Sequence, residues 1–442
     1  MASKVKNKRA PKIKPVNNFL LLAVLSVFQL VTGYISANAK GKFEFSVLLA
    51  MICLIAIEWI YLIVFYVAMH RRNFELEVIA FFLCGVGIAT IGSINPDAAF
   101  KQLLMILAGV IIFVCLVFIM GNVDFCMKMR LYVAIAAIAL LLLNLVIAKT
   151  TNGARNWIEI AGVTLQPSEF VKIAFVFVGS ATLEKIQTSK NIIAFIGFSV
   201  ACVGALIIIK DFGTALIFFC AFLVIAYLRS GSMGTALIFF ITFLIIAFMN
   251  SGDIKTIILA VVSAVMGGAI VLKYKAYVKT RFAAYRHVWE HYNERGGFQQ
   301  SRVLIGMASG GLLGLGIGNG YVRNVYASTT DIIFGVICEE WGYIFAIALV
   351  LSFVCIAVSA LVNSIASRST FYSIGAVAAA GLLLFQCALN IFGITDILPL
   401  TGVTLPFVSQ GGSSMMSCWG LLAFIKASDI RTYNYLGGVK KR

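Results

Sequence analysis

Five polar stretches in an otherwise apolar chain hold residue types able to do chemistry. The first, TNGARNWIEIAGVTLQPSEFVKIAFV at 151–176, sets Arg155 and Trp157 ahead of Gln166, Pro167, Ser168, Glu169 and Lys172. Proline suits a first helical turn, and residues three apart share a helix face, so Glu169 and Lys172 can pair. A surface ion pair beside an interfacial Trp anchor would give the same pattern. The depth of Lys172 in an apolar run speaks for a cavity, because a charge there needs a partner or water. The second stretch is the adjacent pair Lys210 and Asp211 at a junction between two apolar runs, where a plain polar hairpin is the competing explanation. The third, 273–330, carries Lys273, Lys275, Lys279, Arg281, Arg286, Arg295, Arg302 and Arg323 against Glu290 and Glu294. Such a loop is either a cytoplasmic loop obeying the positive-inside rule or an external groove for an anionic head group, since Arg and Lys pair with phosphate oxygens. In the fourth, Asp331 precedes Glu339 and Glu340 by about two helical turns, a spacing that can align carboxylates along one side of a helix lining a cavity. The fifth, ILPLTGVTLPFVSQGGSSMM at 397–416, has two prolines and the hydroxyls of Ser409 and Ser413 in an apolar neighbourhood. It reads as a broken or re-entrant segment, which membrane depth allows only where it lines a cavity.

The elements that must position these groups are membrane helices. Of 442 residues, 61% are hydrophobic and 12% charged, with a mean hydropathy of +0.99, far from the balance of a soluble domain. A secreted enzyme, a DNA-binding domain and a disordered tail are excluded. The formal charge of +17 belongs to membrane topology and an anionic lipidic partner rather than to nucleic acid. Most of the ten cysteines lie in apolar runs without a CxxC pair and read as buried small hydrophobes. Three histidines do not furnish a His-rich metal or haem site. Apolar runs fall near 19–37, 45–69, 75–94, 102–120, 131–148, 168–185, 192–209, 213–229, 233–249, 256–272, 331–363, 370–393 and 411–427. The stretch GTALIFFCAFLVIAYLRSG at 213–231 recurs as GTALIFFITFLIIAFMNSG at 234–252, and the second copy lacks the Lys-Asp pair. Counting the repeat as no net crossing gives about 12 spans and puts both basic ends in the cytoplasm, with 149–166 and 273–330 outside. The expected organisation is a basic cytoplasmic tail (1–18), N-terminal transmembrane helices (19–148), a core with the large external loop (149–430) and a second basic tail (431–442).

Taken in order, GARNWIEI with QPSEFVK, DFGTALI, SGGLLGLGIGNG, TDIIFGVICEEWG and LPLTGVTLPFVSQGGSS resemble the SEDS family (shape, elongation, division and sporulation), typified by RodA and FtsW. The resemblance covers the chain from about 150 onward. It implies an all-α polytopic helical bundle in the bacterial plasma membrane, with about 12 transmembrane helices here, two more than the roughly ten-span family pattern. It further implies a peptidoglycan glycosyltransferase that polymerises undecaprenyl-linked lipid II at the outer face together with a class B penicillin-binding protein. Under it, Arg155, Trp157, Gln166, Ser168, Glu169, Lys172, Lys210, Asp211, Arg286, Arg302, Asp331, Glu339, Glu340, Ser409 and Ser413 are substrate-binding candidates, with a divalent cation (Mg or Mn) left open. The chain departs from the pattern at one position. Where family members carry a loop aspartate, VWEHYNERGGFQQSR aligns His291 or Tyr292, so Glu290, Glu294 and His291 are the candidate bases. That departure keeps two alternatives in play: a lipid-linked precursor transporter, and an inactive scaffold for a penicillin-binding protein.

Overall fold

The computed structural model describes residues 17–151, 154–160, 163–184, 189–209, 211–230, 287–293 and 297–436. Five helices open the chain: α1 (Asn18–Ala37), α2 (Phe45–Met69), α3 (Glu75–Ile94), α4 (Pro96–Ile119) and α5 (Val123–Ile147). Strands β1 (Lys149–Thr151), β2 (Ala154–Ile160) and β3 (Val163–Leu165) follow, then α6 (Pro167–Glu184), α7 (Ser189–Ile209) and α8 (Phe212–Ser230). Beyond these come α9 (Phe298–Gly310), α10 (Ile333–Ile365), α11 (Thr370–Ile394) and α12 (Gly412–Ser428), with short 3-10 turns at Val322–Asn324 and Ile430–Leu436. Seven of the described helices are long and apolar enough to cross a membrane. Helix starts follow local chemistry: Asn17 and Asn122 side chains accept the free first-turn N–H groups of α1 and α5, and Pro96 opens α4. The second copy of the repeat and the runs at 233–249 and 256–272 lie outside the described residues.

Hydrogen bonds sort the helix ends into two layers. At one end Asn18 Nδ2 donates to the Arg72 carbonyl (2.7 Å), Asn73 Nδ2 to Asp429 Oδ2 (2.7 Å), and the Tyr372 and Tyr433 hydroxyls to the carbonyls of Met120 and Val117. The beginning of α1, the α2/α3, α4/α5 and α10/α11 turns, and the turn after α12 therefore share one end of the bundle. At the other end the backbone N–H of Gln410 donates to the Thr329 carbonyl (2.8 Å), Arg323 donates to the Ser93 carbonyl, and the N–H of Gln166 donates to Ser413 Oγ (3.1 Å). Between the two ends α12 packs against α4 and α11. Trp419 is fully enclosed there, with its ring 4.9 Å from Phe81, 5.6 Å from Phe113 and 5.8 Å from Phe407. Gly109 lets α4 approach this ring, since a Cβ at that position would stand 2.6 Å from Trp419 Cδ1.

One expectation gains detail and another is corrected. Within the segment expected outside, β1, β2 and β3 form an antiparallel sheet in that order, with Ile158 opposite Leu165 and Lys149 opposite Trp157. Asp331 does not share a helix with Glu339, because α10 begins only at Ile333. Its backbone carbonyl instead accepts from Asn390 Nδ2 (2.7 Å).

The layer that holds both described ends of the chain contains a buried charge cluster. Glu77 lies between Arg71 and Lys426, with Lys426 Nζ 2.9 Å from Glu77 Oε2, and Asp429 accepts from Asn73 and Arg431. Burial alone would raise the Asp429 carboxyl, but the Arg431 hydrogen bonds and the Lys426 charge bring it below the usual carboxylate range. A depressed native value means that its contribution is complete above the unfolded pKa of about 3.9 and fades as pH falls through the native one. Asp429→Asn is expected to lower stability by about 1–2 kcal/mol near neutral pH. The deficit should shrink on acidification. Melting of the two proteins in detergent across pH checks this, and identical melting at pH 7 would show that the turn contributes nothing.

Candidate functional site

Polar groups from six segments meet beneath the sheet. Pro167 starts α6 directly after β3, which sets Gln166 at the rim and Glu169 and Lys172 one turn deeper. The Lys172 ammonium lies 2.7 Å from Glu169 Oε2 and donates to Gln386 Oε1 of α11 at 2.8 Å, with both charged side chains buried. Ser417 of α12 donates to the same Glu169 oxygen at 2.6 Å. Gln386 turns its amide to the carbonyl and hydroxyl of Thr404, whose Oγ1 is 2.7 Å from Ser414 Oγ. On the rim, Gln166 Nε2 donates to Asp211 Oδ2 (2.8 Å), the Asn156 amide of β2 reaches the same oxygen (3.5 Å), and the Thr214 N–H caps Oδ1 (3.1 Å). Ser413 links the two halves by accepting from the Gln166 N–H. The result is a track of two hydrogen-bonded groups, one under the sheet and one at the first turns of α6, which meet at the adjacent Ser413 and Ser414 of α12. Burial pushes the Asp211 carboxyl above its ordinary range, while the Thr214 hydrogen bonds pull the other way.

The sequence-derived candidates thus divide. Gln166, Glu169, Lys172, Asp211 and Ser413 come together in the track. Ser168 is buried next to it, with no hydrogen-bond partner for its hydroxyl among the described residues. Trp157 stands half-buried in β2, and Arg155 lies on the same strand. Lys210, Arg286 and Glu294 fall outside the described residues. Ser409 is a structural pin: its Oγ accepts from the Leu405 N–H and donates to the Thr330 carbonyl.

Glu339 and Glu340 correct a further expectation, because they bind backbone rather than line a cavity. Glu339 accepts the N–H groups of Tyr321 (2.9 Å) and Val322 (2.7 Å), and Glu340 accepts that of Gly318 (2.9 Å), with Arg323 at 4.0 Å. The loop in turn donates to α10 carbonyls, Leu315 N–H to Glu339 and Gly316 N–H to Glu340. α10 can offer those carbonyls because it breaks at Gly342 (φ 84°), where a Cβ would lie 2.4 Å from the Leu312 carbonyl oxygen. The glycine-rich loop is thereby clamped to the helix.

Gln386, Thr404, Ser414, Ser417 and Asn156 were missed as site residues. A lone glutamine within the apolar run 370–393 was the available signal for the first of them, since an amide at membrane depth needs partners. Among the candidate bases, Glu290 and His291 lie on the exposed turn 287–293, where His287 Nδ1 is 3.2 Å from Glu290 Oε1. No group of three His, Cys, Asp or Glu side chains able to hold a metal occurs among the described residues. The oxygens of Asp211 are already taken by N–H donors, so this donor set does not suit a protein-held Mg or Mn ion.

A helical bundle that buries an acid-base track at one end and clamps a long loop over the same end defines a class of polytopic membrane proteins. Residues 78–433 match the FtsW/RodA/SpoVE family of cell cycle proteins, and the chain belongs to that family. Curated relatives include a peptidoglycan glycosyltransferase RodA of Mycobacterium leprae, 28% identical over 62% of this chain and 58% of that protein. Another is a probable peptidoglycan glycosyltransferase FtsW of Coxiella burnetii, 30% identical over 65% of this chain and 75% of that protein. The match thus spans under two thirds of the length of the mycobacterial relative. Among solved structures, a chain of a peptidoglycan synthase complex that coordinates polymerization and crosslinking superposes with a TM-score of 0.63 at 20% identity, covering 84% of this chain and 99% of that one. Thermus thermophilus RodA gives 0.55 at 20% identity, over 84% and 98%. These likenesses establish the fold.

Proposed function

We propose that this chain is a peptidoglycan glycosyltransferase that polymerises lipid II at the outer membrane face, working with a class B penicillin-binding protein. The observation that carries the reading is the buried track of Asp211, Gln166, Glu169 and Lys172 within a chain of this family, since charges at such depth are seldom kept without a functional reason. The end of the bundle that holds both described chain ends also holds Arg72, Lys128, Arg130, Arg368 and Arg431. Those basic residues support reading that end as cytoplasmic and the sheet and 287–332 as external. In the reaction, a base takes the proton of the acceptor sugar hydroxyl as its oxygen attacks the anomeric carbon of the donor, and undecaprenyl pyrophosphate leaves. Basic side chains of the outer end, Arg302 among them, offset the charge of that leaving group.

The base is Glu290, His291 or Glu294, and substitution separates them. With labelled lipid II and the partner protein, Glu290→Ala, His291→Ala or Glu294→Ala is expected to lower glycan synthesis about 100-fold or more for whichever residue is the base. Lipid II translocation across liposomes without polymer would instead favour a precursor transporter, the reading supported by the replacement of the family's loop aspartate by His291 or Tyr292. Partner binding without either activity would leave a scaffold.

A further inference from the structure

The two helices ahead of residue 78, where the family match begins, bury a polar pair at their middles. Gln29 of α1 and Glu58 of α2 are 0% and 1% exposed. Gln29 Nε2 donates to Glu58 Oε1 at 2.6 Å and reaches toward the Phe81 carbonyl of α3 at 3.5 Å. α3 admits the amide because Gly85 has no side chain: a Cβ there would stand 2.8 Å from Gln29 Nε2. The remaining two oxygens, Gln29 Oε1 and Glu58 Oε2, are enclosed and have no hydrogen-bond partner among the described residues.

Glu58 makes no ion pair among the described residues. α1 has no charged residue, and its one tyrosine, Tyr34, is exposed. α3 presents Cys84, whose sulfur lies 3.8 Å from Met415 Sδ of α12, with the Cys418 thiol within reach of it. In α4, Asp97 and Lys101 belong to the first turns and Cys115 is exposed. One turn along α2, the Tyr61 hydroxyl is bonded to Glu77, which also holds the two nearby cations, Arg71 and Lys426. An ionised Glu58 would therefore keep a charge at mid-membrane depth with a single amide N–H to support it, which is costly.

We propose that Glu58 is a proton-binding site, holding a proton on Oε2 and forming a neutral acid–amide pair with Gln29 that fastens the α1–α2 hairpin to α3. A protonated carboxyl has one O–H donor besides its acceptor oxygen. Donation from Oε2 to Gln29 Oε1 satisfies both unpartnered oxygens at once and closes a ring with the existing amide bond. A hard cation seeks about six oxygens or more, whereas this pair offers two. The site is independent of the activity proposed for the outer end.

The test compares the full-length parent in detergent with Glu58→Gln, whose amide reproduces the shape and hydrogen bonds of the neutral acid. Near pH 7 the infrared spectrum of the parent should contain a protonated-carboxyl C=O band that the variant lacks. The unfolding equilibrium reports the same proton. A carboxyl that keeps its proton when folded and loses it on unfolding makes stability fall as pH rises above about 4.3, the value of an unfolded glutamate. The ratio of parent to variant unfolding constants should grow by up to about 10-fold per pH unit above about pH 5, until the folded carboxyl also ionises. Carboxyls elsewhere titrate in both proteins and cancel in the ratio. A ratio that stays constant between pH 5 and 8, no protonated-carboxyl difference, or failure of Glu58→Gln to fold overturns the proposal. So does stabilisation of the parent, and not of the variant, by sodium chloride over choline chloride, which would make the occupant a metal ion.

Discussion

Lys172→Met should destabilise the protein by about 3–5 kcal/mol, the usual consequence of removing one member of a buried ion pair. The loss is not the value of the attraction itself. It arises because Glu169 would remain buried with only the Ser417 hydroxyl to support its charge, and because Gln386 would lose the ammonium that its oxygen accepts from. The double substitution Glu169→Gln with Lys172→Met removes both charges and should recover most of that stability, since a buried pair and a neutral replacement are often close in free energy. Unfolding in detergent followed by a double-mutant cycle measures the coupling. If the single and double variants melt alike, the pair contributes no specific stability and the ion pair is incidental. The same double variant also asks what the pair is for. Recovered stability with recovered glycan synthesis would make it a structural fastener, whereas recovered stability without synthesis would place it in the reaction.

The second large effect is expected at Glu339. Alanine there strands the N–H groups of Tyr321 and Val322 at once, and two such losses to a charged acceptor amount to about 3 kcal/mol or more. The segment 311–325 should loosen around Tyr321 and Val322, while Glu340, the two carbonyl contacts and the Arg323 contact with Ser93 still hold it on either side. Limited proteolysis should cut this segment faster in Glu339→Ala than in the parent, with Glu339→Gln intermediate because its amide keeps one acceptor oxygen. A parent-like cleavage pattern in Glu339→Ala would show that the loop is held by something other than this carboxylate.

Much of this architecture was legible in the sequence, for physical reasons that also explain where legibility stopped. In lipid every backbone polar group of a span must be bonded within its own helix, so span limits are written in hydropathy; α2 and α3 begin and end where the apolar runs do. The start of α6 was equally readable, because Pro167 has no N–H to leave unpaired. Pairing of Glu169 with Lys172 followed from helix geometry alone. Partners from distant segments did not. Nothing in the neighbourhood of Gln386 says that it meets Lys172 from 214 residues away, and a glutamate pair in an apolar run looks the same whether it faces a cavity or backbone N–H groups. The sheet at 149–165 was hidden because its strands are short and its register depends on pairing rather than on alternation.

The charge cluster that joins Glu77 to Lys426 has a consequence for the making of the protein. These two residues are 349 positions apart, and Lys426 belongs to the last of the described helices. While the chain is being inserted, α3 enters the membrane with Glu77 partnered by Arg71 and the Tyr61 hydroxyl, and the second cation arrives only with α12. The bundle is thus completed by its final helix sliding between segments made first. Until Lys426 arrives, one oxygen of a buried carboxylate lacks its ion-pair partner, so the first and last thirds of the chain depend on each other for a satisfied core.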